Sequence, residues 1–276
     1  MFETLFLLKW PLAGVLVAAL PLAYYGVFLL ERRMVFVSVT LAQAAMAGAA
    51  AASFLHADPR ATAFLATSLV IAALARGRGE RGFLPGDAVL GVLYVVLGGV
   101  TVILLSRSAH GGMDEATLLF GSLLGVVRSD VWVLLVVGAA VGAVALLGHR
   151  WFLATAFDPE TSEVLGYRVA LVEAAFFGGL GLMLSVSIRL LGVLLSFALL
   201  VLPAAAARSL SGRSLAVFVG AQAAAAGACV LGTAASVRYD LPTGAAICLA
   251  LALPLAGAWV VRRVRDSGPP GRRRSP

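Results

Sequence analysis

The chain has little that could carry chemistry: one lysine (Lys9), two cysteines, three histidines, and charged residues at only 13% of 276 positions. With Lys9 as the sole lysine and no glycine-rich run before it, no GxxxxGK[ST] phosphate loop exists, so the chain is not itself a P-loop ATPase. HExxH and GxSxG are absent as well, which removes the common zinc-protease and hydrolase chemistries. Cys229 and Cys248 lie in apolar stretches without CxxC spacing, which argues against a disulfide framework or a thiolate metal cluster and for inert packing. The shortage of charge excludes a soluble domain. Ordinary domains carry roughly 25% charged and 45–50% apolar residues, whereas apolar residues here reach 61% and the mean hydropathy is +0.99. The net charge of +7 does not point to nucleic acid, because the arginines fall in short loops between apolar runs, where they set membrane topology.

What is present is a succession of apolar runs. They predict an all-α, polytopic integral membrane protein of about eight to nine transmembrane helices, at roughly 11–30, 34–55, 61–75, 87–106, 131–148, 169–186, 188–207, 214–236 and 243–262, each near the length of about 20 residues that a bilayer requires. The third is short for a perpendicular crossing. Residues 114–127, with Gly121 and Gly125, read as an interfacial or re-entrant segment. Residues 1–265 form one transmembrane domain, and 266–276, rich in Gly, Pro, Arg and Ser, a disordered basic tail. The first run is read as a retained helix rather than a cleaved signal, since its basic pair, Arg32 and Arg33, follows it. Counting basic residues on alternate sides puts 15 on one and 6 on the other. Short basic loops resist translocation, so the richer side is cytoplasmic, the N-terminus outside and the C-terminus inside.

In apolar spans the informative positions are the small and polar ones. Thr40, Gln43 and Ala47 share one helical face, and Ala44, Gly48 and Ala52 form a small-residue ridge beside it. Gln43 either hydrogen-bonds a neighbouring helix or faces a translocation path, because an amide in lipid needs a partner or water. Pro203 removes a backbone donor and predicts a kink near Leu199 to Pro203; the freed carbonyl serves a path or a moving joint, or else is simply packed over. Arg33 to Ala51 echoes Arg189 to Ala207 at an offset of 156, setting Ala47 against Pro203, as an inverted repeat would.

The most informative polar segment is HRWFLATAFDPETSEVLGYR, His149 to Arg168. Asp158, Pro159 and Glu160 start a helix that Gly166 ends after Leu165, enclosing Glu163 and lying across the cytoplasmic membrane face. Asp158 reads as a cap rather than a catalytic acid. His56, His110 and His149 all fall at or beyond span ends and read as solvated; His110 with Asp114 and Glu115 does not form a ligand pattern.

Three stretches together resemble the zinc/manganese/iron family of ABC-transporter permeases: GVFLLERRMVFVSVTLAQAAMAGAAAA, LFGSLLGV followed by FDPETSEVLG, and IRLLGVLLSFALLVLPAAAARSL with YDLPTG. The resemblance implies a type II ABC importer-like permease that forms a homodimer, moves zinc or manganese across the cell membrane, and works with two cytoplasmic ABC ATPase subunits and an extracytoplasmic metal-binding protein. ATP is then used by the partner; this chain is no enzyme and binds no cofactor. In the importers it resembles, the ATPase docks on a short cytoplasmic helix, which would correspond here to about Asp158 to Gly166. One departure stands out. The family's D-A-L-S-H-A pattern carries an Asp and a His that hold the passing ion, and here Val39 and Gln43 occupy those places. An amide oxygen holds a divalent ion weakly and Val not at all. The ion therefore crosses with little help from this helix, or finds ligands elsewhere, or the cargo is a metal chelate or other small solute. A membrane protein without transport activity is the remaining alternative.

Overall fold

The computed structural model describes residues 2–77, 86–107, 121 and 127–266. They form ten helices: α1 (Phe2–Glu31), α2 (Val35–Leu55), α3 (Pro59–Gly77), α4 (Gly86–Arg107), α5 (Arg128–Leu147), α6 (His149–Phe157), α7 (Pro159–Val164), α8 (Val169–Leu210), α9 (Ser214–Tyr239) and α10 (Thr243–Asp266). Helices satisfy every backbone donor and acceptor internally, as a segment in hydrocarbon must. Seven of them are long and apolar enough to cross a membrane.

The longest, α8, is two crossings. Its 42 residues would extend about 63 Å if straight, twice the hydrocarbon thickness. Yet both of its ends meet the same end of α1: Arg32 pairs with Glu173 at 3.7 Å, and Arg208 pairs with Glu31 at 3.2 Å. The chain therefore doubles back. It does so at Gly192, where φ is 76° and ψ 168°, a region essentially closed to residues with a Cβ. With the two legs of α8 and the shorter α3, the crossings among the described residues come to nine, matching the separate runs expected at 169–186 and 188–207. At the expected kink, Leu199 to Pro203, the dihedrals stay helical; the one departure in α8 is Gly192. Pro203 is buried, and its fixed φ is compatible with the helix once neighbours enclose it.

The first leg of α8, the second leg, α1, α9 and α10 build the centre, where Tyr25, Phe28, Phe176, Leu180, Leu191 and Leu199 are buried. The backbone of Gly26 runs against the carbonyl of Leu200, so closely that no side chain fits between α1 and the second leg. The predicted small-residue ridge on α2 is a packing surface. Gly48 abuts the Thr62 carbonyl and Ala63 on α3, the close approach that small residues permit between membrane helices. α4 packs chiefly on α2 and leaves Val92, Val95, Val96, Val102 and Ile103 exposed. At the opposite end of the bundle from Arg32, Arg60 at the start of α3 pairs with Asp130 at the start of α5. Of the expected re-entrant segment 114–127, Gly121 and Val127 are described; Gly121 rests against the backbone of Leu190 and Leu191 at the α8 turn, and the rest lies outside the described residues. So do His110, Asp114, Glu115 and the tail beyond Asp266.

Candidate coupling segment and translocation path

The short helix expected from Asp158 to Gly166 is present as α7, and a second helix, α6, precedes it in the same loop. After α5 stops at Gly148, α6 runs from His149 to Phe157 with Phe152 and Thr155 buried, so it lies on the bundle as an amphipathic strut. Asp158 then breaks the helix with an extended backbone and caps the next one: its carboxylate accepts from the Thr161 N–H at 3.0 Å and the Thr161 hydroxyl at 2.5 Å. The Thr161 hydroxyl and then its N–H hold the Asp158 carboxyl below the usual carboxylate range. Pro159 occupies the first turn, where a missing donor costs nothing, and Glu160 adds negative charge near the helix N-terminus. Past Leu165, Gly166 takes φ +85° and turns the chain into α8. Glu163 and Leu165 project into solvent, and Val164 is 88% exposed. The elbow formed by α6 and α7 thus presents an acidic and apolar tip while its root is buried.

The root is held by Arg32, just beyond α1. Its Nη2 donates to the Thr155 hydroxyl at 2.9 Å and the Phe152 carbonyl at 3.4 Å, its guanidinium lies 4.7 Å over the Phe176 ring, and Nη1 faces Glu173. One buried cation therefore touches α6 and the first leg of α8 together. Beside it, His149 is half-buried among Tyr24, Phe28 and Phe218, with Nδ1 at 2.6 Å from the Tyr24 hydroxyl. The expectation that His149 is solvated is corrected: aromatic rings cover it, and burial pushes its pKa below 6.5. His56 is exposed, as expected.

Along α2, the structure brings Thr40 and Gln43 to α4. The Thr40 hydroxyl donates to the Phe36 carbonyl and, across the interface, to that of Leu90 at 3.3 Å. Gln43 is 8% exposed, and a Cβ placed on Gly98 of α4 would lie 3.5 Å from its Nε2. Val39 is half-buried; Ala47 and Pro203 are buried. Among the described residues no group of three His, Cys, Asp or Glu could hold a metal ion. Sequence reasoning used Arg32 only as a topology marker, to orient the chain and to read the first run as a retained helix. Its partners stand more than a hundred positions away, and no local pattern announces them.

Residues 3–261 match the family described as the ABC 3 transport family. The manganese transport system membrane protein MntC of Halalkalibacterium halodurans is 28% identical over 225 residues, which is 81% of this chain and 76% of that protein. The manganese import system permease protein ScaB of Streptococcus pneumoniae is 31% identical over 147 residues, 53% of each chain. Among solved structures, PsaBC from Streptococcus pneumoniae in complex with Fab superposes with a TM-score of 0.83 at 22% identity, over 92% of this chain and 91% of that one. That likeness establishes the fold.

Proposed function

The chain belongs to the ABC 3 transport family, and from that premise we propose that it is the membrane permease subunit of an ABC importer for a divalent transition metal, with manganese as the ion. The manganese assignment is supported by the relatives named for manganese transport, MntC and ScaB. The observation that carries the transport reading is the α6–α7 elbow, exposed at its tip and anchored at its root on the same face as both ends of the α8 hairpin. A motor protein that seats on Asp158, Glu160, Glu163 and Leu165 would push on that root.

The face carrying Glu31, Arg32 and α7 is cytoplasmic in this reading, because the arginine-rich loops gather there. The N-terminus is then outside and the C-terminus inside the plasma membrane. ATP is hydrolysed by partner subunits, and an extracytoplasmic binding protein delivers the ion to the face carrying Arg60 and Asp130. A second copy of the chain completes the conduit. The valine face of α4 suits it, since Gly91 and Gly99 there have open space in front of them and small residues let helices approach closely. Thr40 and Gln43 are shut between α2 and α4; outward movement of α4 would expose them to the ion with Ala47 and Pro203 as apolar walls. Val39 offers no ligand and Gln43 one amide, so the ion passes with weak coordination and is released readily.

Proteoliposomes containing the chain, its ATPase and its binding protein should accumulate radiolabelled manganese only when ATP is supplied. Vesicles that hydrolyse ATP yet take up no manganese would refute the substrate assignment.

A further inference from the structure

Two consecutive residues at the end of α1 address three elements. Arg32, its side chain 3% exposed, bonds α6 through Thr155 and Phe152 and faces Glu173 on the first leg of α8. Glu31, its side chain 14% exposed, pairs with Arg208 on the second leg. A guanidinium is a rigid planar fork able to serve several acceptors at once, which a lysine ammonium on a flexible stem cannot do from one position. A charge buried this deeply cannot lose its acceptors without a large desolvation penalty, so α6 cannot lift away from α8 while Arg32 remains between them.

We propose that Arg32 is the positioning residue that makes the α6–α7 elbow and the α8 hairpin move as one body, with Glu31 and Arg208 tying the second leg to the same joint. This rests on the reading of α7 as the ATPase-docking helix. Motion delivered at α7 reaches the first leg through Arg32 and the second through the adjoining Glu31. Arg208 is the more exposed end of its pair, 44% against 14%, so the Arg32 tie is the stiffer of the two.

The test uses the whole transporter in nanodiscs and reads metal moved per ATP hydrolysed. Arg32→Lys keeps the charge but loses the fork; the ratio should fall about tenfold, within the usual range of a coupling free energy, with transport falling further than hydrolysis. Thr155→Val, which removes one acceptor and keeps the Glu173 pair, should lower the ratio by less. Should Arg32→Lys fail to insert, Thr155→Val and Glu173→Gln carry the test in the same direction. A wild-type ratio in these variants, or equal losses of transport and hydrolysis, would overturn the inference. Failure of the docking reading is distinguishable: ATPase co-purification would then be undiminished when the α7 cap is removed by Asp158→Ala, whatever the transport ratio of the Arg32 variants.

Discussion

The Tyr24 hydroxyl in α1 and Nδ1 of His149 in α6 share a hydrogen bond of 2.6 Å under the edges of Phe28 and Phe218. Burial lowers the pKa of His149 from 6.5, so the folded protein holds the ring neutral more firmly than the unfolded chain does. That contribution to stability is complete above the unfolded value and is lost as pH falls through the lowered folded value. The melting temperature in detergent should therefore drop below about pH 6.5. His149→Asn retains an acceptor for Tyr24 but does not titrate, and its melting temperature should vary less over the same interval. An equal acid response in both proteins would place the sensitivity elsewhere.

Gly192 turns α8 back on itself at φ 76° and ψ 168°. Alanine there should cost about 1–3 kcal/mol, the usual penalty for a glycine-only conformation. Gly178 lies in the helical part of the first leg with nothing within 4 Å of an added Cβ, and alanine there should instead gain roughly 0.5–1 kcal/mol by helix propensity. Denaturant melts of the two variants should move in opposite directions.

Asp158→Ala removes the only side-chain cap of a six-residue helix, too short to persist without one. Co-purification of the ATPase should weaken strongly while the permease still inserts. Thr161 holds the Asp158 carboxyl below its ordinary range; the cap is intact above that range and is lost as pH falls through the lowered value. Docking should therefore be insensitive to pH around neutrality, as a pull-down series from pH 6 to 8 would show.

Val39→Asp with Gln43→His places a carboxylate and an imidazole one helical turn apart on α2. The double variant should bind manganese more tightly than the wild type, measured by loss of the aqueous manganese resonance, and should turn over more slowly because release is retarded. Faster uptake in the variant would mean that the native path is limited by poor capture.

The transmembrane class was legible because hydrocarbon demands a run of about 20 apolar residues, and that demand is local. The α7 cap was legible for the same reason: Asp158, Pro159 and Thr161 act within a few residues of one another. Sequence also separated the two legs of α8, between 186 and 188, shortly before the turn at Gly192. It expected a further kink in the second leg at Pro203, because proline removes a helix donor. The reversal itself falls at Gly192, whose φ of 76° proline cannot adopt. His149 was misjudged because position at a span end says nothing about which rings from α1 and α9 fold over it.

By itself, then, the order of residues determined the solvent of this protein, the number of its crossings and the face on which basic loops collect. Each follows from the transfer of individual groups between water and lipid. Only the tertiary structure decided that Glu31 and Arg32 meet both ends of α8, that Arg32 holds α6, and that Thr40 bonds the Leu90 carbonyl. Those pairings join positions far apart in the chain, and they exist because a buried polar group must find its partner wherever packing brings one within reach.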